Sequence, residues 1–169
     1  MALTTNNIKR GSYTAVTVTN LQSLASSATA GWQSGRISDI STQALDYSIF
    51  VKLTTANTAP ANDQVAYVYI SGAMSTDGGT TWLHADQGTT TLPTGSEGTT
   101  TIASPNNLKL LGILNYKTQN MTMQGQFFLS SVFGQFMPEG FSVIIINFTG
   151  AALSTSCVVA YEAITETNQ

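Results

Sequence analysis

Apolar and polar positions alternate along much of this chain, and the longest clean run is Ala44–Thr54, ALDYSIFVKLT. Leu45, Tyr47, Ile49, Val51 and Leu53 take its odd positions, while Asp46, Ser48 and Lys52 stand among the even ones. Successive side chains of a strand point to opposite faces, so this run predicts a half-buried β-strand with five residues toward a core. The same reasoning predicts strands at Ser12–Thr19, at Trp32–Ile40 with a kink at Gly35, and at Val65–Ala73. Further strands are predicted at Leu108–Tyr116, Met121–Phe133, Phe141–Phe148 and Cys157–Ile164. In Val65–Ala73, Tyr67 and Tyr69 share one face and Ala66, Val68 and Ile70 the other. Phe141–Phe148, FSVIIINF, is apolar on both faces, which predicts a central strand. The spacing in Leu108–Tyr116 also suits a helix, but Asn106-Asn107 before it and Gly112 within it favour a strand. Gly125 predicts a bulge.

Turn formers punctuate these runs. Pro60, Asn62 and Asp63 form one group and Pro138-Glu139-Gly140 another. Leu21–Ala30 suits a loop or one short helical turn, and Leu83–Thr101 a long surface loop directed at solvent or a neighbour. Between two strand runs lies Ser75-Thr76-Asp77-Gly78-Gly79-Thr80-Thr81-Trp82, whose Asp-Gly step is a hairpin signal because its turn needs positive φ. Ser75, Asp77, Gly79, Thr81 and Trp82 also fit the Asp-box spacing Ser-x-Asp-x-Gly-x-Thr-Trp of sialidase propellers, a structural turn in which the carboxylate caps backbone N–H groups. With one copy, and no repeat of 20–50 residues, it predicts a stabilised hairpin and not a propeller. The expectation is all-β: an antiparallel two-sheet sandwich, jelly-roll-like, with about eight strands and little helix. Residues 1–11 are expected to be a flexible arm and 12–169 a single domain.

Composition narrows the function more than it names it. Only 9% of the 169 residues are charged, against about 25% in an ordinary globular domain. The surface must therefore be built from Thr, Ser, Asn, Gln and Gly. The net charge is −3 and the basic residues are scattered, so no direct nucleic-acid partner is expected. No apolar run is long enough for a membrane helix, and the start lacks a secretory leader pattern. The single cysteine, Cys157, sits in an apolar run and is expected to be a buried small hydrophobe.

Candidate chemistry is sparse. His84 is the lone histidine, in an expected loop, and no nucleophile elbow surrounds any serine. Most of the nine acids flank turns or lie on polar strand faces. Glu162 alternates with apolar residues of the last strand and is expected to meet Arg36, a lysine or a neighbouring subunit. No catalytic residue, metal site or cofactor is expected. Trp32, Trp82, Tyr67, Tyr69, Phe127, Phe128 and Phe136 suit either a core or a sugar-binding face.

Three stretches carry a resemblance: GWQSGRISDISTQALDYSIFVKL, VAYVYISGAMSTDGGTTW, and the run from Asn107 to Leu153 that closes in PEGFSVIIINFTGAAL. Together they resemble small virion proteins of tailed bacteriophages. The resemblance implies a jelly-roll decoration or cement protein on the outside of the icosahedral head, made in the host cytoplasm and without an active site. Its implied partners are the major capsid protein and further copies of itself as a dimer or trimer. Lys9, Arg10, Trp32, Arg36, Trp82 and His84 are the expected interface residues. The rival expectation is a tail, baseplate or fibre component binding host glycans.

Overall fold

The computed structural model describes residues 6–33, 44–61, 64–75, 82–84, 97–99 and 108–168. Eleven strands and one helical turn occur among them. In chain order they are β1 (Asn6–Arg10), β2 (Thr14–Ala15), β3 (Ala28–Gln33), β4 (Ala44–Thr54), β5 (Val65–Ser75) and β6 (Trp82–His84). There follow β7 (Glu97–Thr99), β8 (Lys109–Asn115), β9 (Thr122–Phe128), α1 (Ser130–Phe133), β10 (Gly140–Phe148) and β11 (Val158–Asn168).

The strands form two antiparallel sheets. Sheet A runs β1-β11-β4-β9, with β2 continuing along the same side of β11 as β1. Sheet B runs β6-β5-β10-β3-β7, with β8 also paired to β5. Joining β1 to β2 and setting aside the three-residue β6 and β7 leaves eight strands. Their order is first-eighth-third-sixth in sheet A and second-seventh-fourth-fifth in sheet B. Consecutive members of this set change sheet at every connection except β5 to β8, so the chain stitches the two layers together repeatedly.

Periodicity decides what faces inward. Tyr47, Ile49, Val51 and Leu53 of β4 meet Ala66, Val68 and Ile70 of β5 and Phe141, Val143 and Ile145 of β10 in the main core. Each Val, Leu, Ile or Phe among them contributes roughly 1.5–3 kcal/mol by leaving water. β10 is hydrogen-bonded on both sides, to β5 and to β3, as its two-faced apolarity predicts. Cys157 is buried in the same core.

Several expectations change. Leu45 is 48% exposed, so four residues of β4, not five, enter the core. The β4–β11 register slips between Ile164 and Thr165, which ends strict alternation at that end of the strand. The arm expected over 1–11 is, across Asn6–Arg10, a strand paired with residues 164–168 of β11, which runs past the predicted strand end at Ile164. Only Thr14–Ala15 of the predicted Ser12–Thr19 strand is paired as a strand. β3 begins at Ala28, within the expected loop, and residues 34–40 lie outside the described set. Met121–Phe133 divides into β9 and a helical turn tied down by Asp46. Its carboxylate accepts the Ser130 amide at 3.0 Å and the Ser130 hydroxyl at 2.5 Å.

Gly125 is not a bulge, because the β4–β9 register runs unbroken through it. It and Gly112 of β8 make room for Phe127; a Cβ on either glycine would run into that ring. Phe127 thereby fills the gap where the two sheets come together at β8 and β9. The bulge lies in β8 instead. Val68 faces Gly112 and Tyr69 faces Leu110, so Leu111 is the extra residue.

Candidate interaction surfaces

The outer face of each sheet is a candidate surface, and the two differ in chemistry. On sheet B, the pairing aligns Thr29, Ile146, Tyr67 and Ile113 in one row across four strands. The next row is Gly31, Ile144, Tyr69 and Leu110. Ile144, Ile146 and Leu108 form a second apolar cluster with Tyr67 and Tyr69 packed on it, separate from the main core. Leu110, Ile113 and Phe148 remain 45%, 44% and 37% exposed. Tyr67 lies 6.0 Å from both Tyr69 and Phe148 between ring centroids, so the aromatics are continuous. The bulge at Leu111 creates this surface. It sends Leu111 and Leu114 inward and leaves Leu110 and Ile113 outward, the spacing that imitates a helix in the sequence.

On the outer face of sheet A, polar and charged side chains engage one another. Glu162 of β11 is 4% exposed and stands opposite Ser48 of β4. Arg10 reaches over from β1 to place its guanidinium 3.5 Å from Glu162 Oε1 and 5.8 Å from the Phe128 ring centroid. That oxygen has no hydrogen-bond partner among the described residues. The Gln126 amide donates to the Tyr13 hydroxyl and to Ser48 Oγ, both at 2.8 Å. Tyr13 and Ser48 share a hydrogen bond of 3.1 Å, and the Tyr13 ring meets Phe50 edge-on at 6.0 Å. The tyrosine enters this cluster from the break between β1 and β2.

The predicted interface residues that are described lie on three separate strands. Lys9 and Arg10 lie in edge strand β1. Among the described residues Glu162 meets Arg10, because β1 packs beside β11 in the same chain and places Arg10 opposite Ile164, one diagonal step from the carboxylate. Arg36 lies outside the described residues. The backbone of Trp32 pairs with Val143 on one side and Glu97 on the other. Trp82 pairs with Ser75 and His84 with Ala73, which makes β5 and β6 antiparallel neighbours on either side of the predicted Asp-Gly turn. Asp77, Gly79 and Thr81 themselves lie outside the described residues.

The titration shifts come from burial. Tyr47 is pushed up to about 12 by burial, with Tyr161 nearby adding to it. Tyr116 is raised further by burial, and its hydroxyl donates to the Leu53 carbonyl at 3.3 Å. Burial also raises the Cys157 thiol, which disfavours the reactive thiolate. Among the described residues, no group of three His, Cys, Asp or Glu side chains could hold a metal ion, and no helix is long and apolar enough to cross a membrane.

Sequence reasoning missed Tyr13, Ser48 and Gln126, whose meeting joins the break between β1 and β2 to strands β4 and β9. It also missed Leu110, Ile113 and Phe148 as surface residues. The apolarity of both faces of Phe141–Phe148 was the available signal, since a second apolar face needs a second set of neighbours. No protein-family profile, no curated protein and no solved structure matches this chain.

Proposed function

We propose that this chain is a non-enzymatic structural protein of a tailed-bacteriophage virion, a decoration or cement protein that binds the outer head surface and bridges capsomers. The observation that carries this reading is the outer face of sheet B. Five large side chains, Tyr67, Tyr69, Leu110, Ile113 and Phe148, lie on the two aligned rows and beside them. Contiguous apolar surface of this kind on a folded domain marks a docking site, and tyrosine is enriched in protein interfaces. A charge-poor surface also lets neighbours pack closely, because few ions must be stripped of water.

The strand order supports the same reading at the level of the fold. First-eighth-third-sixth over second-seventh-fourth-fifth fits the jelly-roll expectation, an architecture of two Greek keys folded into facing sheets and common among viral shell proteins. That support is analogy, since one fold hosts many functions. The major capsid protein is the partner this reading assigns to the apolar face, and the capsid surface is the location. The rival tail or fibre reading draws on the Tyr67–Tyr69 pair, whose rings could stack against sugar.

Co-sedimentation with purified phage heads tests the proposal. The wild-type chain should travel with heads, and Ile113→Lys should weaken retention about tenfold or more, equivalent to at least 1.4 kcal/mol, while the domain stays folded. Retention that ignores Ile113→Lys would remove the sheet B face from the proposal. Failure to bind heads, joined to a glycan-array signal abolished by Tyr67→Ala and Tyr69→Ala, would establish the rival.

A further inference from the structure

We infer that the free edge of β9 is a self-association surface, on which β9 of a second copy adds antiparallel about a twofold axis. The inference does not rest on the virion reading, because it follows from the backbone.

Every open sheet ends in strands with unpaired N–H and C=O groups, and natural proteins blunt such edges with charge, proline, bulges or short strands. The described edges of this fold obey that rule, with one exception. β1 carries Lys9 and Arg10 and is broken from β2 at residues 11–13. β6 and β7 have three residues each. β8 has Lys109 and the bulge at Leu111. β9, Thr-Met-Gln-Gly-Gln-Phe-Phe, has seven residues, no charge, no proline and an unbroken register.

The register identifies the groups that are free. Thr55 N–H donates to the Met121 carbonyl at 3.0 Å, and Leu129 N–H donates to the Tyr47 carbonyl at 3.0 Å. Antiparallel pairs alternate between bonded and non-bonded, so Met123, Gly125 and Phe127 also spend their backbone groups on β4. Thr122, Gln124 and Gln126 therefore aim theirs away from the sheet, and all three are exposed.

A second β9 fits this edge without conflict. Setting Gln124 opposite its twofold mate places Thr122 opposite Gln126, and each opposed pair can exchange both backbone bonds. Uncharged side chains meet uncharged side chains. The closest cation in register is Lys52, opposite Gln124 on β4. Two such lysines would stand three strand spacings apart, about 14 Å, beyond the screening length of about 8 Å at physiological salt. Pairing β9 with β1 of another copy would instead propagate into a filament, whereas the twofold arrangement closes.

The test uses the full chain in solution. Light scattering across a concentration series should give twice the chain mass of 17.9 kDa at its upper end. Gln124→Lys sets like charges opposite each other on the axis, and Gln124→Pro removes an outward N–H that the fold itself does not use. Each should move the monomer–dimer midpoint up by about tenfold or more without changing the circular dichroism spectrum. Ile8→Lys, on the β1 edge, should leave the midpoint in place. Amide exchange on the wild type gives an independent readout: the N–H groups of Thr122, Gln124 and Gln126 should become protected as concentration rises. A monomer at every concentration overturns the inference. So does a dimer whose β9 amides exchange freely, or one that survives both Gln124 substitutions.

Discussion

The two outer faces of the sandwich are made by the same device, a strand whose alternate residues point away from a shared core, yet they end in opposite chemical states. On sheet A, Arg10, Tyr13, Ser48, Gln126 and Glu162 engage one another, and the cluster is nearly closed upon itself. On sheet B, Tyr67, Tyr69, Leu110, Ile113 and Phe148 pack side by side while three of them stay substantially open to water. A polar group satisfied within the chain has little left to offer a partner. An apolar side chain half in water gains free energy from any neighbour that covers it. On the proposed reading, the outer face of sheet A stabilises the chain itself and the outer face of sheet B is the one offered to a partner.

Substitutions can break that comparison, beginning with the layer both faces share. Ile145→Asp places an unpaired carboxylate between the sheets and should cost more than about 4 kcal/mol, enough to abolish the folded state. Circular dichroism should then show a chain without cooperative unfolding. The contrasting change is Ile113→Asp on the outer face of sheet B, where stability should move by no more than about 0.5 kcal/mol. An equal loss at both positions would show that the sheet B face is buried by the chain itself.

Arg10→Ala probes sheet A at an intermediate scale. It leaves the buried Glu162 carboxylate without its cation and should cost roughly 1–3 kcal/mol, discounted because the Arg10 side chain is 56% exposed. Thermal denaturation should show a fall of about 2–10 °C. Adding Glu162→Gln should recover much of the loss, and a double-mutant cycle measures the coupling. Simple additivity would sever the proposed link between β1 and β11.

The last comparison concerns alkaline pH. A tyrosine whose folded pKa is raised contributes stability that is fully present below its ordinary value of 10.0 and is lost as pH rises through the folded value. Tyr47 should therefore hold its full contribution to about pH 10 and lose it as pH rises toward about 12. Denaturant midpoints measured over that range should fall less steeply in Tyr47→Phe. An unchanged slope would separate alkaline unfolding from this tyrosine.

How much of this was legible in the sequence differs from element to element. The facing of Tyr47, Ile49, Val51 and Leu53 followed from period two, because a strand of any fold must alternate. Ala66, Val68 and Ile70 opposite Tyr67 and Tyr69 followed likewise, and FSVIIINF could only be a strand with neighbours on both sides. The pairing of β5 and β6 across the Asp-Gly sequence signal was equally local. Leu45, Gly125 and Leu108–Tyr116 show where local reasoning stops. Leu45 alternates correctly but sits at a slip in register, and that slip belongs to β4 and β11 jointly. Gly125 has a bulge former's identity, yet the ring of Phe127 is what requires it. The apparent helical spacing of Leu111 and Leu114 is the product of a bulge defined by pairing with β5.

What the amino-acid order determined alone was therefore the class of fold, the runs that became β4, β5, β8, β9, β10 and β11, and most of the inward-facing side chains, since these depend on a residue and its near neighbours. Tertiary structure decided that Asn6–Arg10 completes a sheet, that Glu162 takes Arg10 as its counterion, and that sheet B turns an apolar face outward. Each of those outcomes depends on which distant strand lies alongside. Strand partners are selected by the packing of the whole sandwich, and no local pattern of polar and apolar residues encodes them.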